Sequence, residues 1–265
     1  MLDRKGAFAV PGTVDQVASV LRDPARIKAA KAMPYQLMAT LRALEAGVDP
    51  RLRDALHDAM EASVANVPVL KGSVAVCPDV SGSMSSPVTG FRKGATTAVR
   101  CIDVAALVAA AVLRNNPQAR VLPFEVGVRD VGLESRDTIL TNAEKLAALG
   151  GGGTNCSAPL AALNKAGAAP DLVIFVSDNQ SWVDDRQGGQ GTAMMAEWTK
   201  LKARNTAAKL VCIDIQPYGT SQAAERDDVL NIGGFSDAVF DQIAAFAKGR
   251  MGPDHWVGEI RAVQL

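Results

Sequence analysis

The sequence predicts an α/β protein with a central, mostly parallel, six-stranded sheet flanked by helices and preceded by a short all-helical segment. Two patterns support this fold class. In the first 70 residues apolar side chains recur at helical spacing, for example at Val14, Val17 and Leu21, and they indicate three helices. From Ser73 onward short β-rich stretches alternate with helical ones, as in a parallel sheet covered by helices.

The six predicted strands are short runs of apolar and β-branched residues, at 73–77, 119–124, 126–131, 171–177, 208–215 and 228–233. The second and third are too close together for a helical crossover, so we expect an antiparallel hairpin at the edge of the sheet. Pro123 has no amide hydrogen to donate to a sheet and is expected at a strand end. The apolar run from Val99 to Leu113 predicts a buried helix packed on the sheet.

Local capping signals predict where two helices begin and end. Asp49-Pro50 predicts the start of the third N-terminal helix, because Asp accepts hydrogen bonds from free amides and Pro is tolerated at the first helical position. A later helix around Ile243 is expected to be capped by Ser236 and stopped by Gly249.

Composition indicates a soluble globular protein. Hydrophobic residues make up 48% of the chain, yet no uncharged apolar run approaches the roughly 18 residues that span a bilayer, so we expect no membrane partner. The opening residues lack a secretory signal, and Cys77, Cys101, Cys156 and Cys212 are too scattered for a zinc site or a disulfide framework. We therefore expect reduced core thiols and a cytoplasmic location.

The segment Asp79-Val80-Ser81-Gly82-Ser83 carries the clearest chemical signal. It directly follows the first predicted strand and so lies at the carboxyl edge of the sheet, where α/β proteins bind ligands. A carboxylate and two hydroxyls at alternate positions can converge on one hard cation, since Mg²⁺ prefers six oxygen ligands. A Ser-rich turn is the alternative interpretation of this segment alone.

Two later segments bring further oxygens to the same edge. Thr154 follows a run of four glycines, which lets the backbone bring its hydroxyl close to a ligand. Asp178 ends the strand predicted at 171–177. A flexible linker and a turn-forming Asp-Asn are the alternatives, but three segments on one edge favour a metal site.

Read in this order, DVSGSM, GGGTNC and VSDNQSW resemble the metal-ion-dependent adhesion site of von Willebrand factor A (vWA) domains, which have a Rossmann-like fold. With the phrase NVPVLKGSVAVCPDVSGSM, they more narrowly resemble the C-terminal vWA half of the bacterial Ro ribonucleoprotein autoantigen family. The resemblance runs from about residue 33 to the end. It implies one Mg²⁺ ion, or Mn²⁺ or Ca²⁺, bound directly by Ser81, Ser83 and Thr154 and directly or through water by Asp79 and Asp178.

The resemblance also implies a domain organisation and a function. Residues 1–70 would correspond to the last HEAT-like repeat of the Ro helical ring (the TROVE module), and residues 71–265 to the vWA domain. Full-length relatives hold Y RNA and misfolded noncoding RNA through that ring, in RNA quality control or processing. Since nearly all of the ring is missing, this chain alone is expected to bind RNA weakly, and its metal to take a carboxylate from a protein ligand.

The implied function is that of a non-enzymatic, metal-dependent binding module. A cytoplasmic vWA subunit that partners a chaperone-type ATPase is an alternative that the metal motif does not distinguish. A metal-dependent hydrolase is less favoured, because no general base and no phosphate-binding GxxxxGK loop accompanies the motif. The balance of 28 Lys and Arg against 28 Asp and Glu argues against a dominant nucleic-acid footprint.

Other candidates are weaker. Lys71, Arg92, Lys93 and Arg100 flank the motif and could attract an anionic partner, although scattered surface cations are the favoured interpretation. Trp182, just after Asp178, could be either an exposed contact residue or part of the core.

Overall fold

Five parallel strands form the centre of the protein in the computed structural model, which describes residues 6–44, 47–90, 99–178, 192–216, 223, 226–251 and 261. The strands are β1 (Val74–Pro78), β2 (Arg120–Val121), β3 (Leu172–Ser177), β4 (Lys209–Asp214) and β5 (Val229–Gly233). The described helices are α1 (Thr13–Leu21), α2 (Pro24–Ala29), α3 (Pro34–Arg42), α4 (Pro50–Ser63), α5 (Cys101–Asn115), α6 (Ile139–Ala147), α7 (Ala158–Lys165), α8 (Thr192–Arg204) and α9 (Ala238–Ala247).

The sheet order is β2-β1-β3-β4-β5, and every strand pair is parallel. The α/β fold class is confirmed, but the prediction of six strands with an antiparallel edge hairpin is wrong. The stretch 126–131 forms no strand, and only an isolated antiparallel bridge joins Phe124 to Val128. Val126 is 55% exposed, so the alternating apolar pattern there faces no core that could hold a strand in place.

Pro123 lies beyond the end of β2, as expected. The amides of Leu122 and Phe124 on either side of it still donate to the carbonyls of Val76 and Pro78. The amides of alternate residues in a strand point to the same neighbouring strand. Pro123, which has no amide hydrogen, therefore occupies a position whose amide would point away from β1.

The two faces of the sheet bury separate cores. Val74 and Val76 pack with α5, α6, α9 and the N-terminal helices, whereas Ala75 and Cys77 pack with α7 and α8. This alternation is the period-two pattern of a strand covered on both sides. The predicted helix of residues 99–113 is confirmed as α5, in which every residue from Cys101 to Leu113 is buried.

The N-terminal segment contains four helices, one more than predicted. Asp49 caps α4 by accepting the amide hydrogen of Arg51, as its sequence indicates. The additional helix α2 starts with the same signal, because Asp23 accepts from Ala25 and Arg26 and Pro24 occupies the first helical position. Its six residues are too short to show the periodicity of a helix.

Side chains with amide groups join the helical segment to the α/β part across what we call the seam. The Asn115 side chain donates to the carbonyls of Val64 and Val67 at 3.0 and 2.6 Å. Within the helical segment, the Asn66 side chain donates to the carbonyls of Ile27 and Ala32 and so supports the residues beside the seam. These bonds satisfy carbonyls that are freed where helices end, so they fix how the segment packs.

Asp237 caps a helix that lies 202 residues away in the sequence. It precedes α9, but its carboxylate accepts the amide hydrogen of Tyr35 at 3.3 Å, in the first turn of α3. The rings of Tyr35 and Phe235 meet edge to face, 5.1 Å apart. The prediction that Ser236 caps α9 is wrong, since that helix follows Asp237 without a side-chain cap, while Gly249 does follow its end.

All four cysteines are buried thiols outside any disulfide, as predicted. Among the described residues, no helix combines the length and apolar character needed to cross a membrane.

Candidate metal centre

The candidate site lies where the strand order reverses. From β1 the chain moves outward to β2, then crosses back to place β3 on the other side of β1. The carboxyl ends of β1 and β3 therefore bound a crevice, the position at which open α/β sheets bind ligands. Asp79 directly follows β1 and Asp178 directly follows β3, so the two carboxylates flank this point.

Buried apolar side chains hold the 79–83 loop in place. Val80 within the loop and Met84 directly after it are buried in the core, which turns the intervening polar side chains toward the crevice. The amide of Asp79 donates to the carbonyl of Val176 at 2.9 Å, and the amide of Val80 to that of Phe124 at 2.8 Å. The loop is thus fixed to β3 and to the segment that follows β2.

Asp79 is a fully buried carboxylate without a cationic partner in the described part of the chain. Its oxygens accept the amide hydrogen of Ser81 at 2.8 Å and the hydroxyl hydrogen of Ser177 at 2.6 Å. The pKa of Asp79 is raised to about 6, chiefly by burial and to a smaller extent by the nearby Asp178, against the lowering effect of its hydrogen bonds. The site therefore concentrates negative charge at low dielectric, which a bound cation would relieve.

Three hydroxyls from two loops meet beside Asp79. Thr154 Oγ1 donates to Ser81 Oγ at 2.8 Å, and Ser81 Oγ lies 3.3 Å from Ser83 Oγ. Ser81 and Thr154 are almost fully buried, whereas Ser83 is half-buried. Of the five predicted residues, these three and Asp79 form one connected group.

The glycine run shapes the loop that carries Thr154. Gly152 has a φ of 73° and its carbonyl accepts the amide hydrogen of Gly82 at 3.1 Å. A side chain at residue 152 would also collide with the carboxylate of Glu125. Glycine is therefore required here for both backbone conformation and space.

Asp178 completes the set. It is almost fully buried, and its charge raises the pKa of both Asp79 and the thiol of Cys101, although burial is the larger cause for each. Asp178 is thus close to both groups. Ser177 was missed from sequence, although its place directly before Asp178 at a strand end was a usable signal.

The donor set suits a hard cation held mainly by hydroxyls. Within the described ranges, no group of three or more His, Cys, Asp and Glu side chains is placed to hold a metal ion. Two carboxylates and three hydroxyls are instead the kind of oxygen ligands that Mg²⁺ accepts. Zinc sites, in contrast, are built mainly from thiolates and imidazoles.

The flanking cations divide into three cases. Lys71 precedes β1 and so lies at the amino edge of the sheet, away from the site. Arg100 forms an isolated bridge with Pro87, a few residues after the motif, but its guanidinium pairs with the buried Asp103 at 2.8 Å. Arg92 and Lys93 lie outside the described residues, as does Trp182.

Comparisons with known proteins agree with the fold. Residues 73–247 match a family model described as the Ro60 vWA domain. The RNA-binding protein RO60 of Deinococcus radiodurans is 26% identical over 250 residues, which cover 90% of this chain and 45% of that protein. The crystal structure of the Deinococcus radiodurans RO (RSR) protein superposes with a TM-score of 0.73 at 23% identity, over 91% of this chain and 49% of that one.

This chain therefore spans about half the length of the relatives that it matches. The matching family model covers most of the α/β part, including all five strands and every predicted ligand. The protein belongs to the Ro60 vWA domain family.

Proposed function

We propose that the chain is a non-enzymatic, divalent-metal-dependent binding module of a Ro-type RNA-binding protein. The observation that carries the proposal is the group of buried oxygens that three loops bring to the switch point of the sheet, among them the buried carboxylates of Asp79 and Asp178. Ser81, Ser83 and Thr154 would bind one Mg²⁺, or Mn²⁺ or Ca²⁺, directly. Asp79 and Asp178 would bind directly or through water.

The arrangement favours recognition of an anion. Two ionised carboxylates roughly neutralise a divalent ion, whereas neutral hydroxyls add little charge, so the metal would retain affinity for one more negative ligand. We propose that a protein partner supplies this ligand as a carboxylate. The half-exposed Ser83, beside the buried Ser81 and Thr154, marks the side from which such a group would approach.

The RNA role rests on relatives. The Deinococcus radiodurans protein is named as RNA-binding, and this chain matches less than half of it. We propose that the chain acts within noncoding-RNA quality control or processing, with residues 1–70 as the last repeat of a helical ring and 71–265 as the vWA domain. Y RNA or misfolded RNA would bind mainly outside this chain, in a cytoplasmic setting.

The charge distribution supports weak RNA binding by this chain alone. Residues 1–71 contain ten Lys or Arg against eight Asp or Glu, which leaves 18 against 20 for the remainder. Neither part forms the basic platform that supplies most nucleic-acid affinity. A fluorescence titration with structured RNA tests this, and submicromolar, sequence-selective binding at physiological salt would contradict it.

Titration calorimetry with Mn²⁺ tests the metal proposal. Ser83→Ala removes a proposed ligand and is expected to weaken Mn²⁺ binding on the order of tenfold, the loss of one good oxygen contact. Ser85→Ala is the matched control, because Ser85 is exposed and its hydroxyl donates to Gly82 within the same loop. Equal affinities of the two variants, or no Mn²⁺ binding by the wild type, would overturn the proposal.

A chaperone-ATPase partner and a metal-dependent hydrolase are the other candidates. The first would predict capture of an ATPase subunit in a metal-dependent manner. The second needs a general base near the metal. Besides the proposed ligands, the titratable groups described near this site are Glu125, whose carboxylate is ion-paired with Arg129, and Cys101, whose thiol has a pKa raised to about 12 chiefly by burial. A thiol that holds its proton so firmly is a poor base.

A further inference from the structure

The loop of residues 124–129 touches each of the three segments that carry the candidate ligands. Phe124 is fully buried, and its ring packs edge to face on Phe175 of β3, with centroids 5.6 Å apart. β3 leads directly to Asp178. The main chain of Phe124 also exchanges hydrogen bonds with the first ligand loop, donating to Pro78 and accepting from Val80 at 3.0 and 2.8 Å.

The same loop also holds the glycine segment. Asn155, next to Thr154, donates its amide hydrogen to the carbonyl of Glu125 at 2.7 Å. Its side chain donates to the carbonyl of Val126 at 3.1 Å. The residue after Thr154 is therefore fixed by two hydrogen bonds to this one loop.

The Glu125 side chain contributes a separate contact. It is largely buried, and its carboxylate lies where a side chain at Gly152 would be. Arg129 forms an ion pair with Glu125 from within the loop. The loop is closed further by the amide of Arg129, which donates to the carbonyl of Pro123 at 2.7 Å. Glu125 is thus held rigidly against the backbone of the glycine segment.

We infer that Glu125 is a positioning residue for the metal centre, which packs on Gly152 and holds the glycine segment so that the Thr154 hydroxyl faces Ser81. This inference rests on the proposed metal-binding function. Without the Glu125 side chain, the segment gains backbone freedom that metal binding must then remove. Ordering even one residue costs enough to change an affinity severalfold.

Mn²⁺ titration of the full chain tests this inference. Glu125→Ala is expected to raise the Kd for Mn²⁺ about tenfold, the cost of ordering one residue, with little change in metal-free Tm. Glu125→Gln keeps the shape that packs on Gly152 and should restore affinity to within about twofold, as for a near-isosteric change. Glu144→Ala, at an exposed position on α6, is the control and should bind as the wild type does.

The outcomes separate the two proposals. If the wild type binds no Mn²⁺, the proposed function fails. If the wild type binds and Glu125→Ala binds equally well, only the positioning role is overturned. Equal weakening in Glu125→Ala and Glu125→Gln would also overturn it, because the charge rather than the packing would then matter.

A double-mutant cycle tests the contact between Glu125 and Gly152 from its other side. Gly152→Ala should weaken Mn²⁺ binding more than about tenfold in the wild-type background, where the new methyl group meets Glu125, and only about threefold beside Glu125→Ala, as expected for residues in contact. Strictly additive losses would contradict the contact as the source of the positioning.

Discussion

The seam and the metal centre both bury polar side chains, but they satisfy them differently. At the seam Asn115 and Asp237 meet complementary backbone groups, the carbonyls of Val64 and Val67 and the amide of Tyr35. At the metal centre Thr154, Ser81 and Asp79 are bonded mainly to other oxygen-bearing side chains.

This difference separates a structural role from a binding role. A buried polar group that is matched by the backbone stabilises one packing arrangement, because its removal leaves the partner unsatisfied. A buried group of acceptors with excess negative charge is instead stabilised when a cation binds to it. Changes at the seam should therefore affect folding and leave metal affinity unchanged, whereas changes at the centre should do the reverse.

The largest expected effect is stabilisation by metal. Mg²⁺ at about 100 times its Kd should stabilise the wild type by about 2.7 kcal/mol and raise its Tm by several degrees. Asp79→Asn keeps the shape of a buried side chain but loses charge, and should show almost no shift with Mg²⁺. Scanning calorimetry with Mg²⁺ and with EDTA measures both, and an equal rise in the two proteins would place the ion elsewhere.

A change at the seam should have the opposite signature. Asn115→Ala leaves two carbonyls without their donor and is expected to lower the free energy of unfolding by about 2 kcal/mol. Its Kd for Mn²⁺ should match that of the wild type. Urea unfolding together with calorimetry checks the pair of results, and a weakened metal affinity would show that the two regions are coupled.

Thr154→Val sharpens the comparison at the metal centre. The substitution keeps the volume and branching of the side chain but removes the hydroxyl, so Mn²⁺ affinity should fall about tenfold while the metal-free Tm changes little. Thr154→Ser retains the hydroxyl and should lose less affinity. A variant that loses stability while binding metal normally would assign Thr154 to the structural class instead.

The last expected effect concerns the pH dependence of the seam. Burial raises the pKa of Asp237 from 3.8 to about 6, against the hydrogen bonds that it accepts from the amides of Tyr35 and Gln36. The folded state therefore binds this proton more tightly than the unfolded chain, which stabilises it at low pH, and this contribution is lost as pH rises toward 6. Asp237→Asn lacks the effect, so it should gain stability relative to the wild type between pH 4 and 6. Denaturation curves at each pH give that difference, and a constant value would contradict the assignment.

Sequence reasoning succeeded where a signal is local. Asp49-Pro50 marks a helix start, the apolar run of α5 marks a buried helix, and the ligand segments follow apolar strands whose ends must meet at one edge. Each of these depends on neighbours in the chain. The placement of Asp79 and Asp178 at the switch point follows from the strand order, which no sequence pattern indicated.

The errors arose where specific contacts, rather than a local sequence pattern, determine the structure. The pattern at 126–131 alternates like a strand, but Glu125 and Arg129 fold it into a loop against the glycine segment instead. Asp237 caps a helix from 202 residues away, which no local pattern indicates. Short elements such as α2 also escape periodicity, although Asp23-Pro24 repeated the capping signal recognised at Asp49-Pro50.

Anomalous diffraction from crystals soaked in Mn²⁺ tests the central claim most directly. The account predicts one strong peak bounded by the hydroxyls of Ser81, Ser83 and Thr154, each about 2.2 Å from the ion, as for hard cations held by oxygen. A peak bound only to surface carboxylates, with none at the switch point, would contradict the assignment of this edge as a metal centre.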